Sequence, residues 1–385
     1  MTPQRLKKGT LYPYTPKQTP EDIATFFKIW KLGAAVCLVS PRSSKAEIDQ
    51  QIASLPSQLK NASTIIFTSG SSGEAKAVVH SLENHYFNAV GSNQNIAVQP
   101  GDRWLLSLPL YHVSGMGILW RCMLGGGDIV FPKKKDLAAN ISELAITHVS
   151  LVPTQLLRLL EKKQDIKILK KLKCILLGGA PIPDDLLNKA KRLKLPIYMT
   201  YGLTEMASQV ATSQKPFGPL QPLDHRELKI VNNEILVRGK TLFLGYLKNG
   251  KLQKPFDKNG WFHTGDLGTF SKKEGLKILG RKDNMFISGG ENIYPEEIEK
   301  ALFNTGWFEN AVVVPVKNIE FGFRPLAFIK PHQKQKLTAT KIIRQLKKTL
   351  PSFKVPQTYR DFPKEYTQHG MKPDRQTLFA WLNLR

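Results

Sequence analysis

The chain has 385 residues, 41% of them hydrophobic, with 56 Lys and Arg against 31 Asp and Glu and a formal charge of +25. That length and composition suit two or three globular domains and exclude a disordered tail protein, and the longest apolar run, 115–131, is broken by Arg121 and Asp128 before it reaches a membrane span. Cys37, Cys122 and Cys174, without a CxxC pair, suit reduced buried thiols in the cytoplasm and argue against a metal–thiolate site. The basic residues are dispersed, with short clusters at 133–135, 162–173 and 334–348 and no interleaved aromatics. This reads as a solvated basic face, and no stable nucleic-acid partner is expected.

In chain order, the basic, proline-dotted start (Pro3, Pro13, Pro16, Pro20) lacks an apolar leader core and predicts an extended arm. Residues 64–67 predict a buried strand, followed by the stretch IFTSGSSGEAK that ends at Lys76. Further strands are expected at 103–108, 147–152, 174–177 and 197–200, with helices at 154–162 and 184–193. This alternation points to an α/β fold with a mostly parallel sheet. Beyond about 224 the texture changes to hairpins, 229–231 with 235–237 and 246–248 before Asn249-Gly250, implying a smaller antiparallel region. From 283 the expectation is a helix starting near Pro295, strands at 311–316 and 326–329, a helix at 339–350 and a last helix after Pro373. The implied division is a large domain, 1–282, and a smaller α+β lobe, 283–385.

Several segments could carry chemistry. Thr68, Ser69, Gly70, Ser71, Ser72 and Gly73, closed by Lys76, offer backbone NH groups, hydroxyls and a cation to a polyphosphate, although the usual P-loop spacing is missing and a plain linker has the same composition. Tyr201-Gly202-Leu203-Thr204-Glu205 follows a predicted strand, which would place Glu205 near the same sheet edge as that loop, either as a Mg²⁺ ligand or as a solvated acid in a first helical turn. Asp266 lies between glycines, where it could accept from a ribose diol or merely shape a turn. Gly280-Arg281-Lys282-Asp283, Ser288-Gly289-Gly290-Glu291-Asn292 and the proline-led acidic helix start at 295–299 come next. Lys372, in His369-Gly370-Met371-Lys372, is on spacing alone a turn lysine.

Taken jointly and in this order, these motifs, with Pro109-x-x-His112 and Gly178-Gly179-Ala180-Pro181, resemble the adenylate-forming superfamily of acyl-CoA synthetases, luciferases and peptide-synthetase adenylation domains. Residues 147–156 and 176–182 resemble in particular its o-succinylbenzoate-CoA ligase branch in menaquinone biosynthesis. The resemblance implies an ATP-dependent acid-CoA ligase using ATP, Mg²⁺ and CoA through an acyl adenylate. It also implies roles: phosphate cradling by 68–76, adenine flanked by Gly179, Ala180 and Pro181 near Thr200, Tyr201 and Gly202, and ribose held by Asp266 and Arg281. Metal binding falls to Glu205, and the implied catalytic set is Lys372, Glu205, Thr204 and His112. Asp283 is the implied hinge, and Ser288, Gly289 and Gly290 the CoA side. The family leaves room for a homodimer and normally has a longer region before the phosphate loop, so the N-terminal subdomain is expected to be shortened. Other readings are an aryl or medium-chain acid-CoA ligase, and a nonenzymatic adenylate- or nucleic-acid-binding protein.

Overall fold

Strand Thr64–Ser69 pairs antiparallel with Ala75–His80, setting Thr68 opposite Lys76, so the Ser/Gly stretch connects two strands of one hairpin. The computed structural model describes residues 8–43, 45–53, 55–69, 75–332, 337–363, 366 and 375–383; Gly70, Ser71, Ser72, Gly73 and Lys372 lie outside them. That hairpin is central to a six-stranded sheet ordered Leu11–Tyr14, Ala35–Leu38, Thr64–Ser69, Ala75–His80, Gly245–Lys248, Lys251–Gln253. Its first three strands are parallel and the rest antiparallel.

A second, seven-stranded sheet runs Leu220–Pro222, Ser208–Ser213, Ile197–Leu203, Cys174–Gly178, His148–Leu151, Arg103–Leu105, Asp128–Val130. The five strands from Ile197–Leu203 to Asp128–Val130 are parallel, and the other two are antiparallel additions at one edge. Helices Pro20–Lys31, Leu82–Asn95 and Val113–Gly125 contribute Phe26, Trp30, Ala89, Met116, Leu119 and Trp120 to a core shared with Val36 and Ile66 of one sheet and Trp104 and Leu176 of the other. Helices Pro153–Leu159 and Asp184–Arg192 cover the opposite face of the seven-stranded sheet through Leu156, Leu186 and Ala190. Burial on this scale is the main source of stability and fixes where the strand ends emerge.

A four-stranded antiparallel sheet follows: Arg226–Val231, Glu234–Gly239, Phe262–Ser271 and Gly275–Arg281. In the remaining sheet Gly322–Pro331 pairs with Phe308–Asn318, Phe286–Ser288 and Thr358–Asp361, and two cores built from residues 286 onward enclose it. Helix Pro295–Phe303 has Pro in its first turn, Glu296 and Glu297 at its positive end and Lys300 in its last turn, and it buries Ile298 and Leu302.

Several sequence expectations shift: the helices expected over 154–162 and 339–350 end at Leu159 and Leu346, and the strands expected over 311–316 and 326–329 extend to Phe308–Asn318 and Gly322–Pro331. The arm contains strand Leu11–Tyr14, and Pro20 opens a helix in which the Asp22 carboxylate accepts from Thr19 N at 2.8 Å. The strand expected over 103–108 ends at Leu105, where Ser107 N turns back onto the Leu105 carbonyl. The strand expected over 197–200 continues to Leu203. The hairpin at 246–248 joins the six-stranded sheet, Tyr246 opposite Val78, because its partner is Ala75–His80 and not the small antiparallel sheet. Cys37, Cys122 and Cys174 are free and buried, and burial pushes each thiol up to about 12. Among the described residues no helix is long and apolar enough to cross a membrane.

Candidate active site

Glu205 sits in a single 3₁₀ turn, Thr204–Met206, between strands Ile197–Leu203 and Ser208–Ser213. Each carbonyl of that turn is held by a different element. His80 Nε2–H donates to Thr204 O at 2.7 Å, Phe243 N to Glu205 O at 2.8 Å, and Asn88 Nδ2 to Met206 O at 3.1 Å. Burial lowers the His80 pKa to about 4, so the ring is neutral and keeps its single donor on the turn. Ala207 (φ 54°) and Ser208 (φ 123°) follow in conformations that non-glycine residues rarely adopt, a local cost offset by those three bonds. The result is a carboxylate presented on a rigid backbone.

Glycine is required just before it. A Cβ on Gly202 would lie 2.0 Å from Ser208 O, and one on Gly178 2.4 Å from Thr200 O. Gly202→Ala is expected to lose about 1–3 kcal/mol, since the two strands must part to admit a methyl group. Urea or thermal unfolding checks this, with unchanged stability as the contrary result.

Asp266 and Arg281 face each other across one hairpin. Arg281 Nη1 donates to Asp266 Oδ1 at 2.9 Å and to Thr264 O at 2.7 Å, while Nη2 reaches Asp283 Oδ2 at 2.7 Å. Tyr201 donates its hydroxyl to Asp266 Oδ2 at 2.6 Å, tying the seven-stranded sheet to the four-stranded one. Burial pulls the Arg281 guanidinium down, but Asp266 and Asp283 outweigh it and hold the group well above its ordinary range. Burial and Asp266 raise the Tyr201 phenol well above its own. At Gly265 (φ 70°) a Cβ would meet Arg281 Nη2 at 2.8 Å, which explains the glycine before the acid.

Lys76 and Glu205 come together, but not on one sheet edge as the sequence suggests. Lys76 belongs to the six-stranded sheet and Glu205 follows a strand of the seven-stranded one. Tyr246 spans the gap: its hydroxyl donates to Glu205 Oε1 at 2.7 Å, and Lys76 Nζ stands 5.4 Å from its ring centroid. Thr68 lies across the hairpin from Lys76, and Ser69 across from Ala75.

Gly179 (φ 81°), Ala180 and Pro181 form the loop after strand Cys174–Gly178. Asp184, just beyond, touches helix Pro295–Phe303 and its cap: Lys300 Nζ lies 2.9 Å from Asp184 Oδ1, and Asp184 N donates to Asn304 Oδ1 at 2.8 Å. Thr200 Oγ1 is 2.8 Å from Thr212 Oγ1. His112 is half-buried ahead of helix Val113–Gly125, and burial with Arg42 nearby lowers its pKa, leaving a neutral ring. Ser288, Gly289 (φ 57°) and Gly290 (φ 84°) form a tight hairpin turn whose contacts are within the small lobe, Gly289 N donating to Phe321 O at 2.9 Å.

The sequence reading missed Tyr246, His80, Asn88 and Arg121. Arg121 is 2% exposed, lies 4.6 Å from the Trp104 ring, and donates to Gly117 O and Gln209 Oε1, each at 2.8 Å. Burial lowers its pKa to about 10, which still leaves it cationic near neutral pH. These two acceptors are neutral, so the charge has no carboxylate among them. Its signal was present in the sequence as a lone cation inside an apolar helix.

A Lys-bearing hairpin, a carboxylate on a clamped turn and an Asp/Arg pair on a two-lobed α/β frame suit the class of adenylate-forming enzymes. The family model described as AMP-binding enzyme matches residues 54–247. The chain is 42% identical over 326 residues to 2-succinylbenzoate--CoA ligase of Haemophilus influenzae, covering 84% of this chain and 71% of that protein. It is similar to wild-type Escherichia coli MenE with a bound phenylether-linked analogue of OSB-AMS, with a TM-score of 0.79, 31% identity and coverage of 99% and 90%. It is also similar to O-succinylbenzoate coenzyme A synthetase (MenE) from Bacillus subtilis in complex with ATP and magnesium ion, with a TM-score of 0.81, 26% identity and coverage of 93% and 86%. The chain belongs to the AMP-binding enzyme family.

Proposed function

We propose that this chain is a 2-succinylbenzoate–CoA ligase, converting the acid, ATP and CoA into 2-succinylbenzoyl-CoA, AMP and pyrophosphate. The substrate choice is carried by Arg121. A dianionic acid has one carboxylate to adenylate and keeps a second charge, and a buried guanidinium whose hydrogen bonds among the described residues go to a carbonyl and an amide offers that charge a partner. Gln209, which binds Arg121, lies four residues after Glu205 on the adjoining strand, so the cation is close to the nucleotide side.

In the first half-reaction a substrate carboxylate oxygen attacks the ATP α-phosphorus and pyrophosphate leaves. Thr68, Ser69 and Lys76, with Gly70, Ser71, Ser72 and Gly73, bind the β and γ phosphates. Asp266 and Arg281 take the ribose diol, their pairing across one hairpin supplying an acceptor beside a donor. Gly179, Ala180 and Pro181, with Thr200, Tyr201 and Gly202, flank the adenine. Glu205 fits a Mg²⁺ ion carried by the nucleotide: Tyr246 engages one of its oxygens, and among the described residues no group of three His, Cys, Asp or Glu could hold a metal alone, so phosphate oxygens would complete the shell. Such an ion supplies charge neutralisation between the phosphates. Lys372 bridges carboxylate and α-phosphate, with Thr204 and His112 beside the reacting groups.

In the second half-reaction the CoA sulfur attacks the acyl carbonyl carbon and AMP leaves. We assign 1–282 to the large domain and 283–385 to a lobe that turns about Asp283, carrying Lys372 away and Ser288, Gly289 and Gly290 toward the thiol. The three buried free thiols support a cytoplasmic setting.

The test is mass detection of acyl-CoA after incubation with ATP, Mg²⁺, CoA and a panel of carboxylic acids. 2-Succinylbenzoyl-CoA should dominate, and Arg121→Met should lose that preference. Product from benzoate or medium-chain acids alone would favour an aryl or medium-chain ligase. No product, with strongly salt-dependent nucleic-acid binding, would favour a nonenzymatic binder.

A further inference from the structure

Tyr246 touches two of the groups assigned above, and its position follows from strand register. Gly245–Lys248 lies antiparallel to Ala75–His80 with Tyr246 opposite Val78. Lys76 is then the diagonal neighbour on the same sheet face, within reach of long and aromatic side chains. Its ammonium stands 5.4 Å from the Tyr246 ring centroid, while the phenol oxygen at the far end of that ring donates to Glu205 Oε1 at 2.7 Å. The ring is fixed edge-on against Phe243, with centroids 4.8 Å apart, and more distantly against Phe262 at 6.4 Å. Phe243 is itself the residue whose N–H holds the Glu205 carbonyl. One side chain and its packing neighbour thus fix the Glu205 carboxylate and backbone together.

We propose that Tyr246 is a positioning residue for the adenylation half-reaction: it aims Glu205 at the cation carried by the nucleotide and braces Lys76 against the phosphates. The proposal rests on the ligase reading and on Glu205 as the cation's carboxylate. The phenol O–H donates and the carboxylate accepts, a charge-assisted hydrogen bond at 2.7 Å. With Oε1 accepting from the phenol, the carboxylate cannot rotate freely, and its remaining lone pairs keep one direction. The thioester half-reaction uses neither triphosphate nor the groups that hold it, so the effect of Tyr246 should be confined to adenylation.

The experiment compares wild type, Tyr246→Phe and Tyr246→Leu in two assays. One is 2-succinylbenzoate-dependent ATP–pyrophosphate exchange across a Mg²⁺ titration at fixed ATP; the other is thioester formation from supplied acyl adenylate and CoA. Tyr246→Phe, which keeps the ring, should raise the Mg²⁺ concentration for half-maximal exchange about tenfold, the order expected for one hydrogen bond to a charged group. It should leave thioester formation within about twofold of wild type, as nothing the hydroxyl touches acts in that step. Tyr246→Leu should additionally raise the KM for ATP by removing the surface beneath Lys76. A wild-type Mg²⁺ profile in Tyr246→Phe, or equal loss in both half-reactions, overturns the proposal while the ligase reading stands. Absence of exchange in the wild-type protein overturns both.

Discussion

Lys372→Ala is expected to lower acyl-adenylate formation by about 10²–10³-fold, the usual loss when one preorganised stabiliser of developing charge is removed. Thioester formation from supplied acyl adenylate should stay near wild type. The asymmetry follows from the charges involved. In the first step a carboxylate approaches a triphosphate, two anions that repel until a cation lies between them, and only the attacked phosphorus and the incoming oxygen need that cation. In the second step the leaving group is AMP, already bound through Asp266 and Arg281. Arg375, three residues after Lys372 in sequence, is itself tied to the small lobe: its Nη2 lies 2.5 Å from Glu299 Oε2 and 3.4 Å from Glu296 Oε1. Glu296 also accepts from Asn284, next to the assigned hinge, at 2.6 Å. The measurement is pyrophosphate release against single-turnover thioester formation, and a comparable fall in both would remove Lys372 from its assigned role.

What could be read from sequence divides along the range of the contacts. Gly202, Asp266, Arg281 and the Gly289-Gly290 turn stood out through motifs, and the constraints the structure shows for them are local: a glycine where a Cβ would strike the next strand, or an acid and a base brought opposite each other by one hairpin. The α/β alternation and the change to hairpins after 224 were legible for the same reason, as side-chain period and turn residues are short-range signals. The clamps on the Glu205 turn were not. His80 reaches Thr204 across 124 positions, Asn88 reaches Met206 across 118, and Tyr246 reaches Glu205 across 41, and nothing in a residue's neighbours announces such a partner. The same limit applies to the sheet edge expected for the Ser/Gly stretch. Its composition suggested a strand end shared with Glu205, whereas the strands that flank it, Thr64–Ser69 and Ala75–His80, belong to the other sheet. Arg121 falls between the cases: the isolated cation was visible, its neutral partners were not.

Arg375→Ala is expected to destabilise the small lobe by about 3–5 kcal/mol at pH 8, the cost of breaking a buried ion pair from one side. Glu299 is the centre of the pair: besides Arg375, it accepts from Val313 N at 2.7 Å, joining helix Pro295–Phe303 to the middle of strand Phe308–Asn318. Burial pushes the Glu299 carboxyl from 4.5 up to about 7, against the downward pull of Arg375, while Glu299 and Glu296 keep the guanidinium charged. The sign of the pH effect follows. Because the folded state holds the Glu299 proton more tightly than the unfolded chain does, its contribution is fully present below about 4.5 and is lost as pH rises through about 7. Removing Arg375 takes away the pull that limits this loss, so the penalty should be smaller at pH 5.5, where Glu299 is mostly neutral in both proteins, and larger at pH 8. A protein of two lobes has no single unfolding free energy, so the measurement is amide hydrogen exchange of strands Phe308–Asn318 and Gly322–Pro331 at the two pH values. A penalty that shrinks as pH rises would mean that Glu299 is not the group Arg375 stabilises. Arg375→Met, which restores apolar volume but no charge, should recover stability at pH 5.5 and not at pH 8, separating lost packing from lost charge.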